Sequence, residues 1–236
     1  MKSKNLICLL GDVHGRFTFL KAKIINANLR DCYLICVGDL GIGFHALEPE
    51  SKNVKDLNSF FEKRNISFLS IRGNHDDPKP FNDNFKLSNF ELIPDYTLRV
   101  INDERFLFAG GAHSIDRYER QTAGGGWWPD EAFVLKPDLI QDCDVLITHS
   151  APLWLFPTPL PLHFIPKPDI TLRTDCADEK INIDKLLRQC NASHIYTGHF
   201  HESIEFYYNG YDEARWCRGR ILAELELKEH QKESLS

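Results

Sequence analysis

The sequence lacks a hydrophobic run long enough to cross a membrane. No apolar stretch approaches the ~20 residues that a transmembrane helix needs. The early run Leu6–Leu10 is closed at once by Gly11 and Asp12, and no small-residue cleavage pattern follows it. We therefore expect a protein that has no membrane partner and stays in the compartment where it is made.

An excess of basic charge is also missing. The 236 residues contain 28 Lys and Arg against 34 Asp and Glu, a formal charge of −6, which argues against a nucleic-acid coat protein. We expect no stable nucleic-acid partner. The hydrophobic share of 42% is typical of a globular chain. It predicts a single domain over residues 1–228, followed by a frayed polar tail at 229–236.

The cysteines lack the spacing of a disulfide framework or a zinc site. There are seven, an odd number, and no pair has Cys-x-x-Cys spacing. Several lie inside apolar runs, where a cysteine acts as a small buried hydrophobe. Cysteines of this number and spacing favour the reducing cytoplasm. The sequence does not indicate an oligomeric state.

Strand-like and helix-like segments alternate through the first third of the chain. The pattern predicts strands at 5–10, 33–37 and 66–71, with helices at 17–29 and 54–64 between them. Such a β-α-β-α-β series requires parallel strands with helices packed on them. The sequence therefore predicts an α/β fold.

The rest of the chain predicts shorter elements and two long loops. Two hairpins are expected, one across Asn102-Asp103-Glu104 and one around Asn209-Gly210. The other expectations are strands at 144–148 and 194–197, a helix at 181–189, and loops at about 110–137 and 151–180.

Oxygen and nitrogen ligands follow the expected strands at five places. They are Gly11-Asp12-x-His14, Gly38-Asp39, Gly73-Asn74-His75-Asp76, His149, and Gly198-His199-x-His201. In open α/β sheets the carboxyl ends of the strands converge, so these side chains should meet. Carboxylate, amide and imidazole donors without cysteine suit two divalent cations better than a structural zinc. Asp39 stands alone in its turn and is the natural candidate to bridge the two ions.

This ordered series resembles the calcineurin-like metallophosphoesterase superfamily over about residues 9–201, with all seven metal-ligand positions occupied. The resemblance implies a four-layer α/β/β/α sandwich with a dinuclear centre. It implies one ion held by Asp12, His14 and His201, the other by Asn74, His149 and His199, and Asp39 bridging them. Mn²⁺ is the preferred metal, with Fe, Zn or Co as alternatives.

The implied reaction is hydrolysis of a phosphate ester by a metal-bridging hydroxide that attacks phosphorus. By the same resemblance His75 is not a ligand. It faces the substrate, where it can protonate or hydrogen-bond the leaving oxygen. Asp76 is expected to orient the turn.

The sequence indicates the substrate less clearly than it indicates the metal ligands. The Ser/Thr protein phosphatase branch has a second Asp and an Arg soon after the bridging aspartate, but this chain has Leu40-Gly41-Ile42-Gly43 there. Arg72 does match that branch and either grips a phosphate oxygen or is an exposed strand-end charge. In the 110–137 loop, Arg117 or Arg120 is expected to reach phosphate. One of Trp127 and Trp128 is expected to stack on a nucleobase, unless both only cover a sheet edge.

Three functions remain open on this basis. The first is a phosphoesterase with an unknown phosphate-ester substrate, a nucleotide being one option. The second is a phosphodiesterase or nuclease acting on nucleotides or nucleic acid. The third is a non-catalytic scaffold of the same fold, like the phosphoesterase-like retromer subunit, which would be expected to have lost ligands.

Overall fold

Two mixed sheets carry the described residues of this computed structural model, which are 4–44, 47–156, 169–208 and 217–232. Sheet A has the strand order β11-β1-β2-β3-β4 and sheet B the order β5-β6-β7-β8-β10-β9. The strands of sheet A are β1 (Leu6–Leu10), β2 (Cys32–Cys36), β3 (Ile66–Ser70), β4 (Phe90–Leu92) and β11 (Leu227–Glu229). The strands of sheet B are β5 (Thr97–Ile101), β6 (Glu104–Ala109), β7 (Val145–Thr148), β8 (His194–Thr197), β9 (Ile204–Tyr208) and β10 (Cys217–Ile221).

The centre of each sheet is parallel and its edges are partly antiparallel. Strands β1 to β4 run parallel, while β11 pairs antiparallel with β1. In sheet B the four strands β6, β7, β8 and β10 are parallel, with β5 and β9 antiparallel at the edges. The two expected hairpins are β5–β6 and β9–β10. The Asn209-Gly210 turn lies outside the described residues.

Helices cover the outer face of each sheet. The helices are α1 (Phe17–Asn26), α2 (Lys52–Lys63), α3 (Pro78–Asn82), α4 (Arg117–Ala123) and α5 (Leu172–Cys190), with a 3-10 helix at Pro137–Leu139. None of the helices in the described part of the chain has the length and apolarity to cross a membrane.

Three apolar layers hold this arrangement together. Leu20 of α1 and Phe61 of α2 pack on one face of sheet A. Ile183 of α5 packs on sheet B in the same way. The third layer lies between the sheets and includes Leu9 and Phe106. Side chains alternate across β1, where Cys8 and Leu10 face the helices and Ile7 and Leu9 face sheet B. The expected four-layer sandwich in a single domain is confirmed.

The α5 helix is longer than the sequence predicts. It spans Leu172–Cys190 instead of 181–189, so the end of the expected 151–180 loop is helical. Its first half is polar, and its buried positions there include Glu179 and Lys180. Because that half has no apolar stripe, periodicity does not reveal it. Residues 157–168 of the same loop lie outside the described residues.

Two further segments differ from the expectation. The 110–137 loop contains the two-turn helix α4. The chain beyond 228 is ordered as far as His230, which is buried and pairs with Tyr196 Oη at 2.8 Å and with Glu104 Oε2 at 3.1 Å. A tail that fits between the two sheets in this way does not fray at that point. Residues 233–236 lie outside the described residues.

Candidate metal centre

The seven expected metal ligands follow the carboxyl ends of parallel strands from both sheets. Asp12, Asp39 and Asn74 follow β1, β2 and β3 of sheet A, while His149 follows β7 and the 199–201 turn follows β8 of sheet B. Because the two sheets face each other across a common apolar layer, these ends meet at one edge of the sandwich.

One group at this edge contains two carboxylates and two imidazoles. A ligand atom from each of Asp12, His14, Asp39 and His201 lies within 4.8 Å of the other three. The Nε2 atoms of His14 and His201 are 3.2 Å apart, and His201 Nε2 is 3.3 Å from Asp12 Oδ2. Mixed oxygen and nitrogen donors that converge in this way form a candidate site for a divalent transition metal.

A second group contains an amide and two further imidazoles. Asn74 Oδ1 lies 3.1 Å from His149 Nε2 and 2.9 Å from His199 Nδ1. His149 Nδ1 donates to the carbonyl oxygen of Val37 at 2.9 Å, so Nε2 is the ring atom that faces the group. A hydrogen bond of this kind is what orients histidine ligands of metals.

Asp39 lies between the two groups. Its Oδ2 is 3.7 Å from His14 Nε2 in the first group, and its Oδ1 is 3.2 Å from His149 Nε2 in the second. Oδ1 also accepts a hydrogen bond from the His75 backbone at 2.8 Å. Burial opposes ionisation of this carboxylate, but His149 first, with His75 and His14, keeps the pKa of Asp39 below its usual value.

The donor set fits a pair of divalent cations. Asp12 is fully buried, and its Oδ1 has no hydrogen-bond partner among the described residues. A buried carboxylate oxygen without a partner is costly unless a cation balances it. The Nε2 atoms of His14 and His201, which face each other at 3.2 Å, fit the same cation as a pair of nitrogen donors.

Several of these donors share an uncommon backbone conformation. His14, Asp39, His199 and His201 all have φ between 50° and 69°, the left-handed region that non-glycine residues rarely adopt. Such a conformation costs on the order of 1–3 kcal/mol per residue and persists where the surrounding structure requires it. Four of the seven expected ligands carry this strain, which is typical of a functional site.

Asp76 ties the loops of the centre together. Its two buried carboxylate oxygens accept hydrogen bonds from four backbone N–H groups at 2.7–3.1 Å, those of Leu40, Gly41, Ile42 and Gly73. Burial and then the charge of Asp39 raise the pKa of Asp76 to about 6, against the stabilising effect of those donors. Asp76 thus joins the loop after β2 to the loop after β3, as expected for a residue that orients the turn.

The match with known families decides the chain's membership. The model of the calcineurin-like phosphoesterases matches residues 6–203, which include every one of the seven candidate ligands. The chain belongs to the calcineurin-like phosphoesterases. Membership of this family supports a metal-dependent hydrolase of phosphoric ester bonds.

Two solved structures with similar folds share little sequence identity with this chain. One is a predicted phosphoesterase from Streptococcus pneumoniae TIGR4, with 12% identity, a TM-score of 0.38, and coverage of 95% of this chain and 75% of the other. Another is GAP50, titled the anchor in the inner membrane complex of Plasmodium, with 13% identity, a TM-score of 0.48, and coverage of 93% and 71%. The comparison with curated proteins finds no match.

His75 lies beside the two groups and is held by Arg120. Its ring is 4.8 Å from that of His14 and 4.7 Å from that of Phe44. Arg120 Nη2 is 3.1 Å from His75 Nε2, so Nε2 acts as the acceptor and the ring proton resides on Nδ1. Burial, with a contribution from Arg120, lowers the pKa of His75 to about 4, although Asp39 opposes this. His75 is therefore a neutral imidazole next to the centre.

Arg120 makes no donor available to a phosphate. Its other partners are Asp116 Oδ1 at 2.7–2.8 Å and the carbonyl oxygens of Asn74 and Gly126 at 3.1 and 2.9 Å. With His75 these partners use all five N–H groups of the guanidinium. In this structure Arg120 holds the Asn74-His75 turn.

Arg72 also differs from the expectation. It is buried, donates from Nε and Nη2 to Asp95 at 3.1 and 2.8 Å, and bonds three carbonyl oxygens of residues 130–132 at 2.6–3.1 Å. These contacts also use all five donors. Arg72 is therefore not an exposed strand-end charge, because it is buried and anchors the end of the 110–137 loop.

Arg117 is paired with acids that belong to neither of the two groups. It pairs with both oxygens of Asp169 at 2.7 Å and with Asp175 Oδ2 at 2.6 Å. These acids precede and begin α5, so Arg117 links α4 to α5. The sequence could not indicate this pairing, since 52 and 58 residues separate Arg117 from the two acids.

Of the two tryptophans, Trp128 lies against the loop that follows β2. Trp127 and Trp128 are both half-buried. A Cβ placed on Gly43 would lie 3.3 Å from Cζ2 of Trp128, and one placed on Gly126 would lie 2.7 Å from Cε2 of Phe44. The 124–128 turn therefore packs on the loop after β2, next to His75. Phe44 is an aromatic neighbour of the site that sequence reasoning missed, because it belongs to no motif.

Proposed function

We propose that this chain is a dinuclear metal-dependent phosphoesterase whose metals are held by the seven residues that the family pattern predicts. The single observation that supports this best is the position of Asp39, with one carboxylate oxygen near each of the two donor groups. Asp12, His14 and His201 would hold one ion, and Asn74, His149 and His199 the other. Mn²⁺ is the preferred ion, with Fe, Zn or Co as alternatives.

When bound, two such ions would lower the pKa of a water molecule and offset negative charge on the phosphoryl group. The protein's own contribution is orientation. Val37 O fixes the ring of His149, and the Asp12 carboxylate accepts from the backbone of His199 at 3.0 Å. Asp76 holds the two loops that carry Asp39 and Asn74. Donors preorganised in this way lose little free energy to rearrangement during the reaction.

His75 is proposed as the residue that assists the leaving oxygen. Its buried Nδ1 has no hydrogen-bond partner among the described residues. Because Arg120 donates to Nε2, the Nδ1 proton is the one that a substrate oxygen could accept. His75 would then donate a hydrogen bond from Nδ1 to the leaving oxygen as that oxygen gains charge, and it would keep the proton, because a neutral imidazole is a very weak acid.

A phosphodiesterase acting on nucleotides is the second candidate. A phosphate monoester carries a second negative charge that an additional cation usually balances. Arg72 and Arg120 have all five donors occupied within the protein, and Arg117 is bound to two carboxylates. A diester, with one charge, makes no such demand. Phe44 beside His75, with Trp128 next to Gly43 in the same loop, would supply an aromatic surface for a base.

Hydrolysis assays with added Mn²⁺ test both candidates. The 236-residue chain should hydrolyse p-nitrophenyl phosphate or bis-p-nitrophenyl phosphate, and chelation by EDTA should abolish the activity. A preference for the bis-ester and for dinucleotides would support the phosphodiesterase. Failure to hydrolyse any of these compounds, with no metal bound, would instead favour the non-catalytic scaffold.

We also propose that the protein acts in the cytoplasm. The odd number of cysteines and their lack of Cys-x-x-Cys spacing favour the cytoplasm. Nothing in the described residues indicates an oligomer.

A further inference from the structure

Lys180 of α5 is a lysine that the fold encloses. The residue is only 7% exposed, although lysine is among the residues that are least often buried. Removing an ammonium group from water is costly unless neighbouring groups compensate the charge. The contacts of this ammonium group therefore show what the charge does in the fold.

Two aromatic rings and a carbonyl oxygen contact Lys180 Nζ. The ammonium donates to Phe156 O at 2.9 Å and lies 4.8 Å from the ring centroid of Phe156 and 5.3 Å from that of Phe200. The two rings stack on each other, with centroids 4.0 Å apart and planes inclined by 24°. A cation within about 6 Å of a ring face is attracted to it, and the attraction is stronger where water is excluded. Lys180 thus holds Phe156 and Phe200 together.

These three residues come from three different segments beside sheet B. Phe156 belongs to the loop after β7, which begins with the candidate ligand His149. Phe200 belongs to the turn after β8, and Lys180 belongs to α5. Both phenylalanine rings pack against the apolar layer between α5 and sheet B. The three side chains therefore fasten the two ligand-bearing loops of sheet B to the helix that covers it.

Phe200 is the middle residue of a turn that carries one candidate ligand of each ion. His199 and His201, on either side of it, have φ values of 69° and 54° in the left-handed region. Residues persist in that region only where surrounding contacts hold them. Asp12 holds the turn from one side, by accepting from the His199 backbone at 3.0 Å. The ring of Phe200 is a second anchor, because it packs toward α5 while the two histidines face the donor groups.

We propose that Lys180, Phe156 and Phe200 form a positioning clamp that holds the 199–201 turn, and with it one histidine ligand of each metal ion. The three side chains act through the backbone of the turn and do not coordinate an ion themselves. This inference rests on the proposed function, since it concerns the two ions that His199 and His201 would bind.

Calorimetric titration of Mn²⁺ into the metal-free 236-residue chain tests the clamp without an activity readout. Lys180→Met removes the charge but keeps a side chain of similar length. It should weaken binding of both ions by about 3- to 30-fold, the factor that corresponds to a buried cation–π contact. Phe200→Leu removes the stacked ring and should weaken both ions by about 10- to 100-fold, the range found when supports of metal ligands are removed. Phe200→Tyr keeps the ring and should bind both ions as wild type does.

Lys21→Met is the matched control for the loss of charge. Lys21 Nζ lies 5.9 Å from the ring centroid of Phe60, in the same kind of contact, but the two residues belong to α1 and α2 and not to a loop that carries a candidate ligand. The control should bind both ions as wild type does. A Lys180→Met protein that keeps the melting temperature of wild type and loses affinity for both ions would support the clamp.

Three kinds of result would overturn the inference. Unchanged affinity in Lys180→Met would show that the turn does not need the cation, and a loss confined to one ion would show that the turn is not held as a unit. The same loss in Lys21→Met or in Phe200→Tyr would show an effect that does not depend on the stacked rings. If wild type itself bound no Mn²⁺, the proposed function would fail together with the inference, and only this last outcome removes both.

Discussion

At the scale of single residues, close backbone approach explains why a glycine precedes several candidate ligands. A Cβ on Gly198 would lie 2.1 Å from Asp12 Oδ1, and one on Gly73 would lie 2.0 Å from Asp39 Oδ1. Neither distance is possible for a real side chain. The Gly-Asp, Gly-Asn and Gly-His pairs of the sequence are therefore steric requirements of the centre as well as turn signals.

Gly198→Ala should consequently damage the centre more than the fold. The added methyl group must displace Asp12 or the 199–201 turn, at a cost of about 1–3 kcal/mol. We expect Mn²⁺ affinity at one site to fall by at least about 10-fold, as for other disturbed ligand supports. Gly125→Ala is the control, because a Cβ there meets nothing within 4 Å. Titration curves that coincide for the two variants would contradict the steric argument.

Loss of the His75 imidazole should depend on the leaving group. His75→Ala should slow esters with poor leaving groups by roughly 10² to 10⁴, the range for acid–base assistance. Nitrophenyl esters should lose less, because their leaving group is stable without a proton. The measurement is kcat on a phenyl and a nitrophenyl ester of the same phosphate. The same loss on both would assign His75 a purely positional role.

Whether the position of a side chain could be predicted from the sequence depends on what holds that side chain in place. The candidate ligands could be predicted because parallel strand ends converge, whatever the rest of the chain does. The arginines could not. Arg72 bonds to three backbone carbonyls and to Asp95, 23 residues away, and Arg120 bonds to two backbone carbonyls and to His75, 45 residues away. Such partners leave no pattern in the sequence.

At the scale of elements, α5 combines a predictable half and an unpredictable half. Its second half carries the apolar residues that pack on sheet B, among them Ile183, Leu186 and Leu187. Its first half is held by polar contacts, including Arg117 with Asp175 and Glu179 Oε2 with the backbone N–H of His113 at 3.0 Å. A periodic pattern of apolar residues reveals a helix segment that buries an apolar face. It does not reveal a segment that is held by buried polar contacts.

Glu179 gives α5 a pH dependence that can be measured. Burial raises the pKa of Glu179 from 4.5 to about 7. Because the folded state holds this proton more tightly than the unfolded state, the contribution to stability is complete below about pH 4.5 and is lost as pH rises through about 7. The amide introduced by Glu179→Gln has no such proton to lose, so that variant escapes this loss.

The free energy of unfolding of Glu179→Gln, minus that of wild type, should therefore increase between pH 5 and pH 8 by about 2 kcal/mol. Denaturant titrations of both proteins at several pH values provide the difference. Burial also raises the pKa of Glu131 to about 7, but both proteins contain Glu131, so its contribution cancels in the difference. A difference that stays flat across the range would show that Glu179 is not a buried acid with a raised pKa.

At the scale of the whole molecule, two sheets place the centre where their parallel strands end. The β-α-β-α-β series predicted sheet A, and the alternation of buried residues along β1 shows why both of its faces are covered. The three-residue strand β11 escaped prediction, because it is too short for a pattern and its partner β1 is more than 200 residues away. It completes sheet A and brings the buried His230 between the sheets.

The central claim is that one carboxylate joins two metal sites, and calorimetric titration of Mn²⁺ into metal-free Asp39→Asn tests it most directly. Wild type should bind two ions per chain. The variant should no longer bind at least one of the ions tightly. Its rate of phosphodiester hydrolysis should fall by at least about 10³-fold, because Asp39 sets both the spacing and the charge of the metal pair. Two ions bound with wild-type affinity, together with near wild-type turnover, would contradict the account.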